Sequence, residues 1–429
     1  LFKDFLYRPV SAAPLILFKR VFGACMIFGT TRFMVLGWIE DHYVKPQLHF
    51  KYWGFSWVEP LPVFWLYIIH YLMIISALGV MFTRGVLYKV SAILLFLTFT
   101  YTELIDLTYY LNHYYFVSLV CFLLCFIPDA SVKGQTGVRL VPRWAIFIFQ
   151  LQISIVYIYA GLAKINYDWL ILALPLKIWL PAHDKMPLIG EIFTWPITPY
   201  LFSWFGMFYD CTIVFFLAWR KTRIFAYFTV IIFHTLTGLL FQIGIFPLVM
   251  IGATLIFNPL STKKGTIPLS LEGLRIRQTP SLGLRWLLIC FFLFQVLFPW
   301  RYLLYKGNLF WTEEGYRYSW RVMLMEKAGT ATFYVKDSLT LREGVVDNAE
   351  FLNPHQEKQM AMQPDMILQF AHFLGKYYEK KGLYKPQVRA EVYVTLNGRP
   401  SKLLIDPRVD LMKEQDSFAP KKWILPYEN

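Results

Sequence analysis

Lys164 closes the apolar run "YIYAGLAKINYDWL" (residues 157–170), at a depth where a membrane helix is still in the lipid or only just leaving it. The bland reading is an anchor whose stem lies in lipid and whose head reaches the interface. The chemical reading starts from desolvation: an ammonium in low dielectric loses part of its preference for the charged form, and an uncharged amine is a usable base. Two other stretches bear on the choice. "LTYYLNHYYF" puts Asn112 and His113 at a nearly absent connection between two apolar runs, and His234 lies inside a further one. A lone intramembrane histidine is commonly a helix-packing residue. Polar side chains from separate helices at similar depth near one face point to a shared site instead, because ionisable groups within a bundle face its interior or a cavity.

The elements that hold these residues follow from composition. Hydrophobic residues make up 57% of the 429, aromatics 19% and charged residues 16%, too apolar for one soluble core. The chain therefore reads as a polytopic α-helical membrane protein. About nine spans are expected, near residues 13–37, 61–82, 88–109, 112–128, 144–164, 199–219, 223–240, 242–258 and 285–305, by the rule of roughly 20 apolar residues per crossing. The net charge of +14 needs no nucleic acid, since the basic residues fall mainly in alternate short connections. These carry Lys3 and Arg8; Arg84 and Lys89; Lys133, Arg139 and Arg143; Arg220, Lys221 and Arg223; and Lys263, Lys264, Arg275, Arg277 and Arg285. The intervening connections carry only Lys45, Lys51, Lys177 and Lys185, which predicts an inside N-terminus and an outside C-terminal tail. Cys25, Cys121, Cys125, Cys211 and Cys290 sit inside apolar runs with no zinc-type spacing, and are expected to be packing residues. No cleavable signal peptide is legible, and a chain opening on Leu1 is expected to lack a few preceding residues.

Composition changes near residue 306, dividing a transmembrane domain (1–305) from an extramembrane α+β domain (306–429) on the outer side. "TATFYVKD" and "EVYVTLNGRPSKLLIDPRVDL" read as strands, with a hairpin turn at Asn397 and Gly398. Between them "QPDMILQFAHFLGKYYEKKGL" has helical spacing, with Met366, Phe370 and Phe373 on one face.

"LNHYYF", "QISIVYIYAGLAKINYDWL", "FHTLTGLLFQIGIF", "GYRYSW", "FLNP" and "IDPRVDL" occur in an order and spacing that resembles the vitamin K-dependent gamma-glutamyl carboxylase family and its bacterial relatives in the horizontally transferred transmembrane domain group. The resemblance runs from near the N-terminus to about Asp410. It implies an enzyme that oxygenates vitamin K hydroquinone to its epoxide with O2, and uses the energy released to remove a γ proton from a peptide glutamate, which then attacks CO2. By resemblance Lys164 is the base for the hydroquinone and His113 acts on the quinone oxygen, while Asn112, His234 and Tyr159 belong to the quinone-binding set. Asp168 and Trp169 complete the motif as structural residues, with Asp168 a candidate for orienting the lysine. Tyr316, Tyr318, Trp320 and Arg408 belong to the peptide side, with Asp406 and Asp410 as the motif's structural acids. The implied partners are a lipid quinone of phylloquinone or menaquinone type, a glutamate-containing peptide or protein and membrane lipids; a quinone reductase as partner is left open. No metal and no nucleic acid are expected, and the cytoplasmic membrane of a bacterium is the implied location.

Several positions depart from the animal members. Ala163 stands where they carry a second lysine, Gly315 where they carry a leucine that helps receive the glutamate, and Arg321 where they carry an acid. "TLTGL" replaces a more polar pattern after His234, and the animal chains continue through a longer lumenal portion. Epoxidation with carboxylation and epoxidation alone therefore both stay open, whereas a channel or transporter would need a polar through-path or paired broken helices. The tail motifs also have plainer readings: "IDPRVDL" as a salt-bridged turn, and Tyr316, Tyr318 and Trp320 as an interface between tail and membrane domain.

Overall fold

The computed structural model describes residues 2–129, 132–133, 139–241, 243–258 and 279–427. Its apolar runs become the helices α1 (Ala13–Val35), α2 (Val63–Phe82), α3 (Gly85–Leu104), α4 (Asn112–Leu124), α5 (Trp144–Ala163), α6 (Thr198–Ala218), α7 (Arg223–Leu240), α8 (Phe246–Thr254) and α9 (Leu282–Leu297). Among the described residues seven are long and apolar enough to cross a membrane, α9 together with its continuation to Leu304; α4 and α8 are shorter. The 13 residues of α4 span only about 20 Å against a hydrocarbon layer of about 30 Å. The protein is a polytopic helical membrane protein with a C-terminal extramembrane region.

Helix α3 stops short of the expected residue 109. Asp106 leaves the helix and caps a tight turn, accepting from Thr108 N at 2.9 Å and Thr108 Oγ1 at 2.7 Å. That turn is why Asn112 and His113 open a new helix rather than continue the old one. At the opposite end of the bundle Lys89 donates to the carbonyls of Cys125 (3.0 Å) and Ile127 (2.6 Å) just beyond α4, where a helix C-terminus favours a cation. Lys19, a charge inside the first apolar run, lies 4.0 Å from the Tyr88 ring centre. A small antiparallel sheet sits at this end, with β1 (Pro9–Ser11), β2 (Val132–Lys133) and β3 (Arg139–Pro142) in the order β1-β3-β2. Of the predicted basic connections, Lys263, Lys264, Arg275 and Arg277 lie outside the described residues.

The tail holds β4 (Lys327–Lys336), β5 (Glu343–Val345), β6 (Gln387–Leu396) and β7 (Lys402–Leu403), antiparallel in the order β5-β4-β6-β7. Val388, Ala390, Val392, Val394 and Leu396 are all buried, the period of two that puts one strand face inward. Asn397 and Gly398 both have positive φ, 52° and 73°, as expected for the "NG" turn. Helix α10 (Pro354–Met360) starts on a capping box between Asn353 and Gln356. Helix α11 (Pro364–Lys380) lays Met366 and Phe370 on the sheet, with the Phe370 and Phe333 rings 4.9 Å apart.

The tail is not tethered loosely. One apolar cluster contains Ala163 and Trp169 from one end of the bundle and Phe333, Phe370 and Val392 from the tail. Polar contacts reinforce it: Gln356 Nε2 donates to Asp106 Oδ2 (2.8 Å) and to the Leu48 carbonyl (2.7 Å), and the Gln369 amide exchanges two bonds with the Lys51 backbone.

Candidate active site at the tail-facing end of the bundle

The "AGLAKINYDW" stretch is a helix end built to aim two charges in different directions. Gly161 lets α5 and α6 touch: a Cβ there would lie 2.5 Å from Cys211 Sγ and 2.6 Å from Cys211 N, and small residues are what allow such backbone approach in membranes. Lys164 is the C-cap of α5, and its side chain crosses to α6, with Nζ 2.7 Å from Asp210 Oδ2 and 3.3 Å from the Ala160 carbonyl. Both partners are buried, at 7% and 5% exposure. The Trp169 ring centre lies 5.4 Å from the ammonium, and Trp169 Nε1 donates to the Ser203 carbonyl at 2.8 Å. Trp169 therefore walls the lysine and ties the motif to α6.

Asn166 ends the helical run, its side chain accepting from Trp169 N at 2.9 Å. Asp168 consequently turns outward and is not the carboxylate that meets Lys164. It accepts from Arg399 Nη1 and Nη2 (2.8 and 2.6 Å) and from Asn397 Nδ2 (2.7 Å), so it clamps the tail's hairpin to the bundle. Burial alone would raise the Asp168 carboxyl, but the bonds from Arg399 and Asn397 and the Arg399 charge outweigh it and hold the group below the ordinary carboxylate range.

The two histidines join the lysine through one run of contacts. Tyr209, next to Asp210, has its ring 6.0 Å from Tyr157; the Tyr157 hydroxyl lies 2.7 Å from His234 Nε2; and the Phe246 ring lies 5.8 Å from His234 and 5.4 Å from His113. His234 is 2% exposed and its Nδ1 has no hydrogen-bond partner. Both amide atoms of fully buried Gln152 are likewise unpartnered. The orphan Nδ1 of His234, ringed by Tyr157, Tyr209 and Phe246, suits the polar end of a flat ligand. Asn112 turns to the tail instead: its Nδ2 donates to the Arg321 carbonyl at 3.0 Å, and its Oδ1 accepts from Tyr110 at 3.2 Å.

A cavity of about 1070 Å³ lies between the tail-facing ends of α5 and α9 and the tail. Tyr159, Ala163, Asn166 and Asp168 line it, whereas Lys164 leaves the helix on the other side. The Tyr159 hydroxyl donates to the Val296 carbonyl of α9. Tyr316, Tyr318 and Trp320 do not line the cavity; the intervening Ser319 and the following Arg321 do. Trp320 is fully buried with its ring 5.0 Å from Tyr115 of α4, and Tyr318 packs on Tyr110 and Tyr115. Tyr318 and Trp320 both hold left-handed backbone, φ 59° and 57°, a cost of order 1–2 kcal/mol per residue that burial of their rings offsets. Arg408 is exposed and closes its own turn on Asp406 (3.0 and 2.8 Å), while Asp410 accepts from Met412 N and Val388 N.

Sequence reasoning missed Asp210. The signal was present, a carboxylate in the middle of a 21-residue apolar helix, which in a membrane protein marks function by default.

The fold and this buried pair define a multi-pass membrane protein with a buried lysine–aspartate pair at the foot of an extramembrane region that holds a small sheet. Residues 7–261 match the HTTM domain model, and residues 282–429 match that of the vitamin K-dependent gamma-carboxylase, lumenal domain. The chain belongs to the vitamin K-dependent gamma-glutamyl carboxylase family. Membership implies vitamin K as cosubstrate and a glutamate-containing substrate. No solved structure matches the chain.

Proposed function

We propose that the protein is a vitamin K-dependent gamma-glutamyl carboxylase that oxygenates vitamin K hydroquinone to its epoxide and carboxylates peptide glutamate with CO2. The observation that carries this reading is the buried Lys164–Asp210 pair, 2.7 Å apart, in a chain whose two halves match the two domains of that family. Lys164 takes the proton of a quinol hydroxyl only with a lone pair on Nζ. Moving the ammonium proton across to Asp210 Oδ2 frees that lone pair and leaves two neutral groups, so the transfer strands no unpaired ion in the low-dielectric interior. Asp210 is thus the first proton acceptor behind the base. His234 Nδ1 and the His113 ring would hold the oxygens of the quinol head, and Tyr157 fixes His234 through Nε2. When bound and oxygenated, the hydroquinone supplies the driving force for removing the γ proton of glutamate.

A second reading, quinol oxygenation without carboxylation, rests on Gly315. Its φ is 84°, and a Cβ there would lie 2.7 Å from Tyr302 Cα, so the leucine of the animal members does not fit this backbone. Orientation belongs to the same proposal: basic connections at the end away from the tail support an inside N-terminus and an outside tail, in a bacterial cytoplasmic membrane.

The test uses the purified full chain in nanodiscs with reduced vitamin K, O2, labelled bicarbonate and a glutamate peptide, counting epoxide and fixed label separately. Wild type yields both, and Lys164→Ala loses both by roughly 100-fold or more, the range of a removed general base. Epoxide without label selects the second reading, and neither product from wild type refutes both.

A further inference from the structure

The large cavity contains a cation that the quinol chemistry does not use. Arg321 is 9% exposed, lines the cavity, and has a guanidinium carbon 4.4 Å from the Tyr302 ring centre. Its Nε has no hydrogen-bond partner, and among the described residues no carboxylate pairs with it. Burial pulls the guanidinium down from its ordinary value, with Tyr302 and Tyr316 opposing. A cation left this way inside a protein is costly unless something anionic arrives.

The neighbouring polar groups are already committed. Asp168, the single acid among the lining residues, is held by Arg399 and Asn397. Ser319 Oγ donates to the Gly315 carbonyl and accepts from Arg301, and Asn308 caps the turn at Phe310. The lining thus carries Arg321, Arg399 and Lys402 against Asp168, and Arg321 is a lining guanidinium with a buried, unpartnered Nε and no carboxylate paired to it among the described residues.

We propose that the Arg321 guanidinium is the receptor for a glutamate side-chain carboxylate of a peptide lying in this cavity. The inference rests on the carboxylase reading above and names its substrate-holding group. A planar guanidinium matches a carboxylate through two parallel N–H···O bonds, which an ammonium cannot reproduce. Position favours a peptide over a lipid phosphate. The Arg321 carbonyl is bonded by Asn112, the residue before His113, and the preceding Trp320 stacks on α4, so a captured side chain is registered against the helix that carries His113. The volume, about 1070 Å³, is at the upper end of ligand pockets and leaves room for flanking residues under a roof of Pro400, Lys402 and Tyr427.

The experiment measures binding of a fluorescein-labelled nonapeptide with a single glutamate, and of its glutamine twin, to the full chain in zwitterionic nanodiscs. Wild type is expected to prefer the glutamate form at least tenfold, Arg321→Gln to lose that preference, and Arg321→Lys to recover only part of it. On the wild-type protein, where folding of a variant is not in question, the glutamate peptide but not its twin is expected to protect Arg321 from phenylglyoxal, read by peptide mass spectrometry. Equal binding of the two peptides by wild type, or a preference that survives Arg321→Gln, overturns the proposal. So does an Arg321-dependent retention of phosphatidylglycerol without a glutamate preference, which assigns the cation to lipid. Epoxide formation by the same wild-type sample separates the failures: epoxide without glutamate preference sinks this inference alone, and preference without epoxide sinks the quinol reading alone.

Discussion

Three residues separate the two charges of the "KINYD" stretch, and those charges do opposite work. Lys164 points into the bundle at a single carboxylate on α6, with both partners buried. Asp168 points out to the tail and accepts three bonds from the hairpin after β6. The inner pair is short of hydrogen bonds and poor in solvent, so either member changes its neighbour's charge state; the outer cluster is saturated and partly exposed, so it holds position and little else. A motif that looks like one unit in sequence is a reactive half and a fastening half.

The sharpest way to break the contrast is at Asp210. Asp210→Asn leaves a buried ammonium without a counter-charge, which should cost about 3–5 kcal/mol, seen as a drop in the thermal midpoint followed by tryptophan fluorescence in detergent. The double change Lys164→Met with Asp210→Leu replaces the pair by apolar groups and should regain most of that stability with no epoxide formed. Asp168→Asn comes next: loss of the charged bonds, partly screened by solvent, should cost about 1–2 kcal/mol of docking. It should speed hydrogen exchange over residues 397–403 and lower epoxide formation by less than tenfold.

Acidity sharpens the comparison with a smaller effect. Asp168 is held below its ordinary value, so its contribution is present above about pH 3.9 and lost as pH falls through its folded value. Asp106, in the other docking contact, has the reverse sign: burial pushes it up to about 6 against bonds from Thr108 and Gln356, so its contribution is full below about pH 3.9 and lost as pH rises through about 6. Exchange protection, measured relative to the intrinsic rate at each pH, should therefore fall over residues 353–357 between about pH 4 and 6 in wild type and stay level in Asp106→Asn, while protection of residues 397–403 changes only in stronger acid. The smallest effect is expected at Arg408, whose pair with Asp406 is local to one exposed turn; Arg408→Ala should leave the melting temperature and the epoxide yield unchanged.

Much of this was legible beforehand. Apolar run length located the helices, and the "NG" turn and alternating strand residues located β6 and its hairpin. Lys164 stood out because a cation interrupts the run. Which way each charge faces was not legible, because residues four apart share a face only while a helix continues, and Asn166 stops it. Asp210 was readable as an intramembrane acid, but its pairing with Lys164 depends on how α5 and α6 cross. The three aromatics at 316, 318 and 320 looked equally suited to wall or interface; positive φ at 318 and 320 turns their rings onto α4 and gives the cavity to their neighbours.

That crossing has a consequence for how the protein can drift. Position 161 carries no functional group, yet a single methyl there would collide with the backbone and sulfur of Cys211 and force α5 and α6 apart. The reach from amine to carboxylate would lengthen with it, although neither charged residue had changed. The distance on which the proposed base depends is gauged by the side chain that Gly161 lacks, so substitutions tolerated everywhere else along α5 should be rejected at that one site.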